Sequence, residues 1–114
     1  QTLRGLIRAD LARELTYTGR VVPAEEAADI GLVTRVDPKP LDAAVTLGRT
    51  IAAQSPDAIR AAKRLFNEAW SESAGDGLRR EAQLQGSLFG RPNQLEAVAA
   101  NFEKRAPAFG PPAD

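Results

Sequence analysis

Residues 16–36, TYTGRVVPAEEAADIGLVTRV, decide how this 114-residue chain reads. Thr18-Gly19-Arg20 closes a helical pattern, because Gly19 enters the left-handed region that ends a helix without the Cβ clash other residues meet there. The β-branched pair Val21-Val22 follows, and Pro23 presets φ for a second helix whose first turn carries Glu25 and Glu26 at the positive end of the helix dipole. Gly31 stops that helix after about two turns. Leu32-Val33-Thr34-Arg35-Val36, rich in β-branched residues, predicts a short strand. A tiny helix between two extended pieces makes a compact unit.

Working outward, the rest of the chain reads as short helices. Leu3, Leu6, Ile7, Leu11 and Leu15 recur at three- or four-residue steps, an apolar stripe on one or two consecutive helices with Gly5 as a bend. Asp37-Pro38-Lys39-Pro40 is a turn, since each proline removes a backbone donor and biases its predecessor away from helix. Beyond it Leu41, Ala44, Val45, Gly48, Ile51 and Ala52 share a face, which predicts a helix with one buried side and close approach of a neighbour at Gly48.

Ser55-Pro56-Asp57 is a helix start, with a side-chain acceptor, a proline suited to the first helical position and an acid on the dipole. The next stripe is Ile59, Ala62, Lys63, Phe66, Ala69 and Trp70, with the aliphatic stem of Lys63 along it. Residues 71–77 read as a flexible loop. Leu78, Ala82, Leu84, Leu88 and Phe89 mark another helix, ended by Gly90-Arg91-Pro92. Asn93 and Glu96 then form a capping-box-like pair ahead of a last stripe at Leu95, Val98, Ala99 and Phe102. The proline-rich end, with Pro107, Pro111 and Pro112, reads as a flexible tail over 107–114.

Composition removes whole classes of function. Fifteen basic residues balance fifteen acidic ones, so no global field or like-charge block exists to hold a nucleic-acid backbone. With no cysteine and no histidine there is no disulfide, no thiolate nucleophile, no cysteine-based metal site and no imidazole base. Any chemistry falls to carboxylates, hydroxyls and backbone amides. No apolar run approaches the ~20 residues a bilayer span needs, and no signal-peptide core is visible, so the expected setting is cytoplasmic, with neither membrane nor nucleic acid as a partner.

The residues of the opening stretch also carry a family likeness. Thr18-Gly19-Arg20, Ala24-Glu25-Glu26-Ala27 and Gly31-Leu32-Val33 resemble, in order and spacing, a signature in the C-terminal half of the enoyl-CoA hydratase/isomerase, or crotonase, family. Ser55-Pro56, Ala61-Ala62-Lys63, Glu96-Ala97 and Phe102-Glu103-Lys104-Arg105 continue it, and Gln1-Thr2-Leu3 is similar to the residues after the family's Gly-Gly turn. The resemblance implies the mainly α, C-terminal oligomerisation part of a crotonase-like α/β spiral fold, with one short β element. Residues 1–36 would end the core region, 37–106 form the helical oligomerisation region, and 107–114 the tail.

It also implies function. Such enzymes add water to 2,3-unsaturated acyl-CoA in fatty acid metabolism, using backbone amides to stabilise a thioester enolate and glutamates to move protons; isomerases and other chemistries share the scaffold. Coenzyme A arrives as part of the thioester substrate, with no tightly bound cofactor or metal, and the subunits form trimers or hexamers. The catalytic residues would lie upstream of Gln1, none of them in this chain. The absence of any methionine fits a fragment, a processed product or part of a longer protein.

Lys104 matches by position a family lysine that holds the phosphate end of coenzyme A, although a lysine in a helix's last turn is also favoured by the dipole alone. Phe102 is a second coenzyme candidate; the family's aromatic stands where this chain has Asn101, and Phe102 equally fits the apolar stripe as a packing residue. Glu25 and Glu26 point about 100° apart on a helix and cannot flank one bond. Glu14 and Glu81 read as surface partners of arginines, and Gly5, Gly19 and Gly31 are too far apart for a phosphate loop. The alternative reading is a non-catalytic helical oligomerisation module.

Overall fold

Gly19 takes φ 61° and ψ 19°, and its N–H donates to Leu15 O at 3.0 Å, closing helix α1 (Ala9–Thr18) where the sequence predicts. The computed structural model describes residues 3–69 and 71–113. Among the described residues five further helices follow: α2 (Ala24–Asp29), α3 (Pro40–Ala52), α4 (Pro56–Ala69), α5 (Ala74–Gly86) and α6 (Pro92–Glu103). Among the described residues the β component is one isolated bridge, Arg4 to Ile7. The chain divides into two compact units, Gln1–Ala44 and Val45–Asp114. The fold is mainly α.

In the first unit, the short helix behaves as its punctuation dictates. Pro23 sits before α2 with φ −61°, and Glu25 and Glu26 occupy the first turn. Gly31, at φ 81°, donates to Ala28 O, while Leu32 N–H donates to Ala27 O at 2.8 Å. That pair of bonds is a Schellman closure. It also corrects the strand expected at 32–36: Leu32 and Val33 both spend their amides on the Ala27 carbonyl, so the segment bends instead of joining a ladder. Residues 3–7 are turn and bridge, with Gly5 at φ 88°, so the apolar stripe becomes helical only from Ala9. Arg20 binds Glu26 through two nitrogens, at 2.5 and 3.0 Å, and reaches Glu14 at 3.4 Å, tying the end of α1 to the start of α2.

Helix α3 begins at Pro40 after an Asx-type turn in which Lys39 N–H donates to Asp37 Oδ1 at 2.8 Å. Its expected buried side is not buried: Leu41 is 75% exposed and Ile51 44%. A Cβ on Gly48 would meet nothing within 4 Å. An apolar period records that a face meets something; it does not place the partner in the same 114 residues.

In the second unit α4 and α5 pack together as consecutive helices. Ala58, Ala61, Ala62 and Leu65 of α4 line one cleft with Leu84 and Leu88, and Ala69 O lies 3.8 Å from where a Cβ on Gly77 would stand. Ala58 thus meets the far end of α5 and Ala69 its start, an antiparallel pairing in which alanines allow close approach. Arg80 of α5 reaches Glu68 of α4 at 3.3 Å. Of the expected α4 stripe, Ile59, Lys63 and Phe66 lie exposed, while Ala62 and Ala69 are partly covered; Trp70 lies outside the described residues.

Two helix starts differ from expectation. The loop predicted at 71–77 shrinks, because Ser73 accepts from Asp76 N–H at 3.2 Å and donates to Asp76 Oδ2 at 2.5 Å, nucleating α5 through Gly75 and Gly77. Asn93 and Glu96 do not cap α6. Arg91 stands at the N-cap with Pro92 as first helical residue, and Gln94 Oε1 accepts from Gly90 N–H. Asn93 and Glu96 take other partners. Ala27, Asp57, Asn93 and Ala100 are the buried residues among those described, and two of these four are polar.

Candidate functional site

Helix α6 ends in a reversal at Lys104, whose φ of 56° is the one positive value among the described non-glycine residues. Arg105 N–H donates to Ala100 O at 3.1 Å and Lys104 N–H to Asn101 O, so a lysine holds the left-handed position where glycine is favoured. The chain then runs back along α6. Ala108 N–H donates to Glu96 Oε1 at 2.7 Å, Gly110 N–H to Asn93 Oδ1 at 2.8 Å, and Ala113 N–H to Asp57 Oδ1 at 2.8 Å. Arg91 donates to Ala113 O at 3.1 Å. Pro107, Pro111 and Pro112, which have no amide to donate, alternate with these donors. Residues 106–113 contain no helix, and their backbone is fastened at both ends.

Side-chain electrostatics around the reversal are lopsided. Arg105 binds Glu96 through both terminal nitrogens and Glu103 through Nε at 2.5 Å. The Arg105 guanidinium first, and the Ala108 amide second, pull the Glu96 carboxyl from its ordinary 4.5 to about 2. Lys104 is exposed, and among the described residues its ammonium has no ion-pair partner. The two nearest acids along the chain are taken by Arg105. An unpaired ammonium beside satisfied carboxylates is a ready point charge for an external anion.

Phe102 is 80% exposed, and with Leu95 at 57% and Val98 at 42% it forms an open apolar strip along α6. Lys104 and Phe102 therefore sit together at one exposed helix end, and Phe102 is not packed in a core of this chain. Asp57 and Asn93, which by sequence suit helix starts, are joined to each other. Asn93 Nδ2 donates to Asp57 Oδ2 at 2.7 Å; this bond is the main cause of a lowered Asp57 carboxyl, with burial opposing it and the Ala113 amide, Arg91 and Arg60 assisting.

Elsewhere the chain offers little chemistry. A groove of about 640 Å³ beside α1 is lined by Leu3, Arg4, Ile7, Arg13 and Tyr17 among others, and among the described residues no carboxylate lines it for proton transfer. Glu26 and Glu14 are engaged by Arg20. Among the described residues no cluster of three metal-ligating side chains occurs, and no helix is long and apolar enough to cross a membrane.

Against known proteins, the family model described as enoyl-CoA hydratase/isomerase matches residues 1–112. The Mycobacterium tuberculosis protein named "Probable enoyl-CoA hydratase echA8" is 40% identical over 111 residues, covering 96% of this chain and 43% of that protein. The crystal structure of enoyl-CoA hydratase from Bacillus anthracis matches 94% of this chain and 42% of its own with a TM-score of 0.90 at 34% identity. That of enoyl-CoA hydratase from Mycobacterium tuberculosis H37Rv matches 95% of this chain and 44% of its own, with a TM-score of 0.87 at 31% identity.

What these structures share with the present helices is the C-terminal, helical part of the crotonase fold. The chain belongs to the enoyl-CoA hydratase/isomerase family. It spans 43% of the length of the first curated relatives it matches.

Proposed function

We propose that these helices serve an enzyme that adds water across the 2,3-double bond of an enoyl-CoA thioester, and that their part in it is to hold the coenzyme and to assemble subunits. Lys104 binds phosphate oxygens of coenzyme A as a point charge, and Phe102 lies alongside the nucleotide. The amide pair that stabilises the thioester enolate and the glutamates that move protons are supplied from outside these 114 residues. The enzyme is cytoplasmic, works as a homotrimer or hexamer and carries no tightly bound cofactor. The observation that carries the reading is the Lys104 ammonium, exposed and without an ion-pair partner among the described residues, while Arg105 occupies Glu96 and Glu103.

The test is steady-state hydration of crotonyl-CoA by the complete protein. Lys104→Ala raises KM for crotonyl-CoA more than it lowers kcat, because binding far from the reacting carbons is lost; an unchanged KM removes Lys104 from the site. The open apolar faces of α3 and α6 favour one other reading, a non-catalytic helical assembly module. An intact mass of 12.2 kDa with no hydration would favour it, and a larger mass with turnover would exclude it. Double-bond isomerisation of a 3-enoyl-CoA is the remaining family alternative, separated by assaying both substrates.

A further inference from the structure

We infer that Asp57 and Asn93 act as positioning residues for Lys104, through the returning tail. The proposal rests on the Lys104 reading above. Lys104 occupies left-handed backbone, which is strained for a residue with a Cβ, so something must hold the reversal there. The polypeptide after it is fastened at three points, at Glu96 of α6 by Ala108, at Asn93 of α6 by Gly110, and at Asp57 of α4 by Ala113. The last of these bonds reaches the start of α4, and Arg91 seconds it by binding Ala113 O.

The clasp is built at its far end, where the buried polar groups are. Asn93 is 3% exposed and Asp57 7%, and each has its polar atoms satisfied by the other or by the tail. Asn93 uses its amide nitrogen on Asp57 Oδ2, with Gly110 O and Pro111 O also in range, and its oxygen on Gly110 N–H. Burying two polar side chains to fix a stretch of irregular backbone makes sense where that backbone must keep one path.

The path has two effects on Lys104. It keeps the chain reversed at the helix end, which fixes the root of the lysine. It also keeps Arg105 beside Glu96 and Glu103. With the tail released, Arg105 leaves Glu96 and the acids compete for the Lys104 ammonium. The clasp therefore acts on coenzyme binding without touching coenzyme.

The experiment is a double-mutant cycle on the complete protein, read as dissociation constants for coenzyme A and for pantetheine. The variants are Asn93→Ala and the milder Ala113→Pro, which deletes only the amide donated to Asp57, each alone and with Lys104→Ala. Each clasp variant should weaken coenzyme A binding severalfold, roughly 3 to 10 times, add nothing once Lys104 is alanine, and leave pantetheine, which lacks the nucleotide, unaffected. Equal losses with and without Lys104, or losses shared by pantetheine, would show a merely structural clasp and overturn the proposal. So would full coenzyme A affinity in both clasp variants while Lys104→Ala alone binds weakly. If Lys104→Ala itself binds normally, the underlying Lys104 reading fails and the clasp's role with it.

Discussion

Asn93 Nδ2 donates to Asp57 Oδ2 at 2.7 Å, linking two buried side chains 36 residues apart and joining the start of α6 to the start of α4. Asn93→Ala removes this bond and the one to Gly110, and leaves a carboxylate short of a donor. Such a change costs about 1–3 kcal/mol in unfolding free energy, measured by urea denaturation. A loss below about 0.5 kcal/mol, the size of an ordinary surface substitution, would show that the pair is dispensable.

Acid should release the tail. Glu96 is held at about 2 chiefly by Arg105, and Asp57 is lowered chiefly by Asn93. Because these carboxyls bind fewer protons folded than unfolded, their stabilisation is complete above the ordinary carboxylate values and is lost as pH falls from 4.5 toward about 2. Protection of the Ala108, Gly110 and Ala113 amides from hydrogen exchange, corrected for intrinsic rates, should fall across that window. The Gly19 and Leu32 amides, bonded to carbonyls, should hold theirs longer. Equal behaviour of the two groups would contradict this.

Two glycines predict opposite outcomes on the same substitution. Gly31 has φ 81°, and an added Cβ would stand 3.1 Å from Leu6 O, so Gly31→Ala destabilises by about 1–2 kcal/mol. Gly48 is helical and open, so Gly48→Ala stabilises the 114-residue chain by up to about 1 kcal/mol. Thermal unfolding of the two variants gives the comparison. A destabilising Gly48→Ala would mean that this face is covered after all.

Ser73 supplies both halves of a cap with Asp76 at the start of α5. Ser73→Ala should cost about 1 kcal/mol, and Ser73→Thr, which keeps the hydroxyl that both donates to and accepts from Asp76, should largely restore it. Fraying of α5 is read from amide exchange in its first turn. No change with alanine would show that α4 packing alone nucleates the helix.

Helix stops were readable in the sequence because their cause is local. Gly19 and Gly31 sit where a left-handed residue must sit, and no distant contact is needed to place them. The strand expected at Leu32–Val36 failed because β-branched content describes a segment that pairs well when a partner exists, while the actual amides close a helix. The buried side expected on α3 failed for a related reason. At the site, Lys104 is legible by resemblance, while its αL backbone is not, because lysine carries no such preference. The Asp57–Asn93 clasp is hidden in the sequence because both residues also suit helix starts. The spacing of Pro107, Pro111 and Pro112 around non-proline donors was the one signal in the sequence that the tail is fastened.

Lys104→Gly tests the central claim most directly, because it separates backbone from charge. Glycine relieves the left-handed strain, so the variant should be more stable than the parent by about 1 kcal/mol. It also lacks the ammonium, and a lost charge-assisted contact should raise KM for crotonyl-CoA roughly tenfold or more. KM for the crotonyl thioester of pantetheine, measured on the same complete protein, should stay unchanged. A more stable variant with parental KM for crotonyl-CoA would contradict the account and leave Lys104 as a helix-end residue alone.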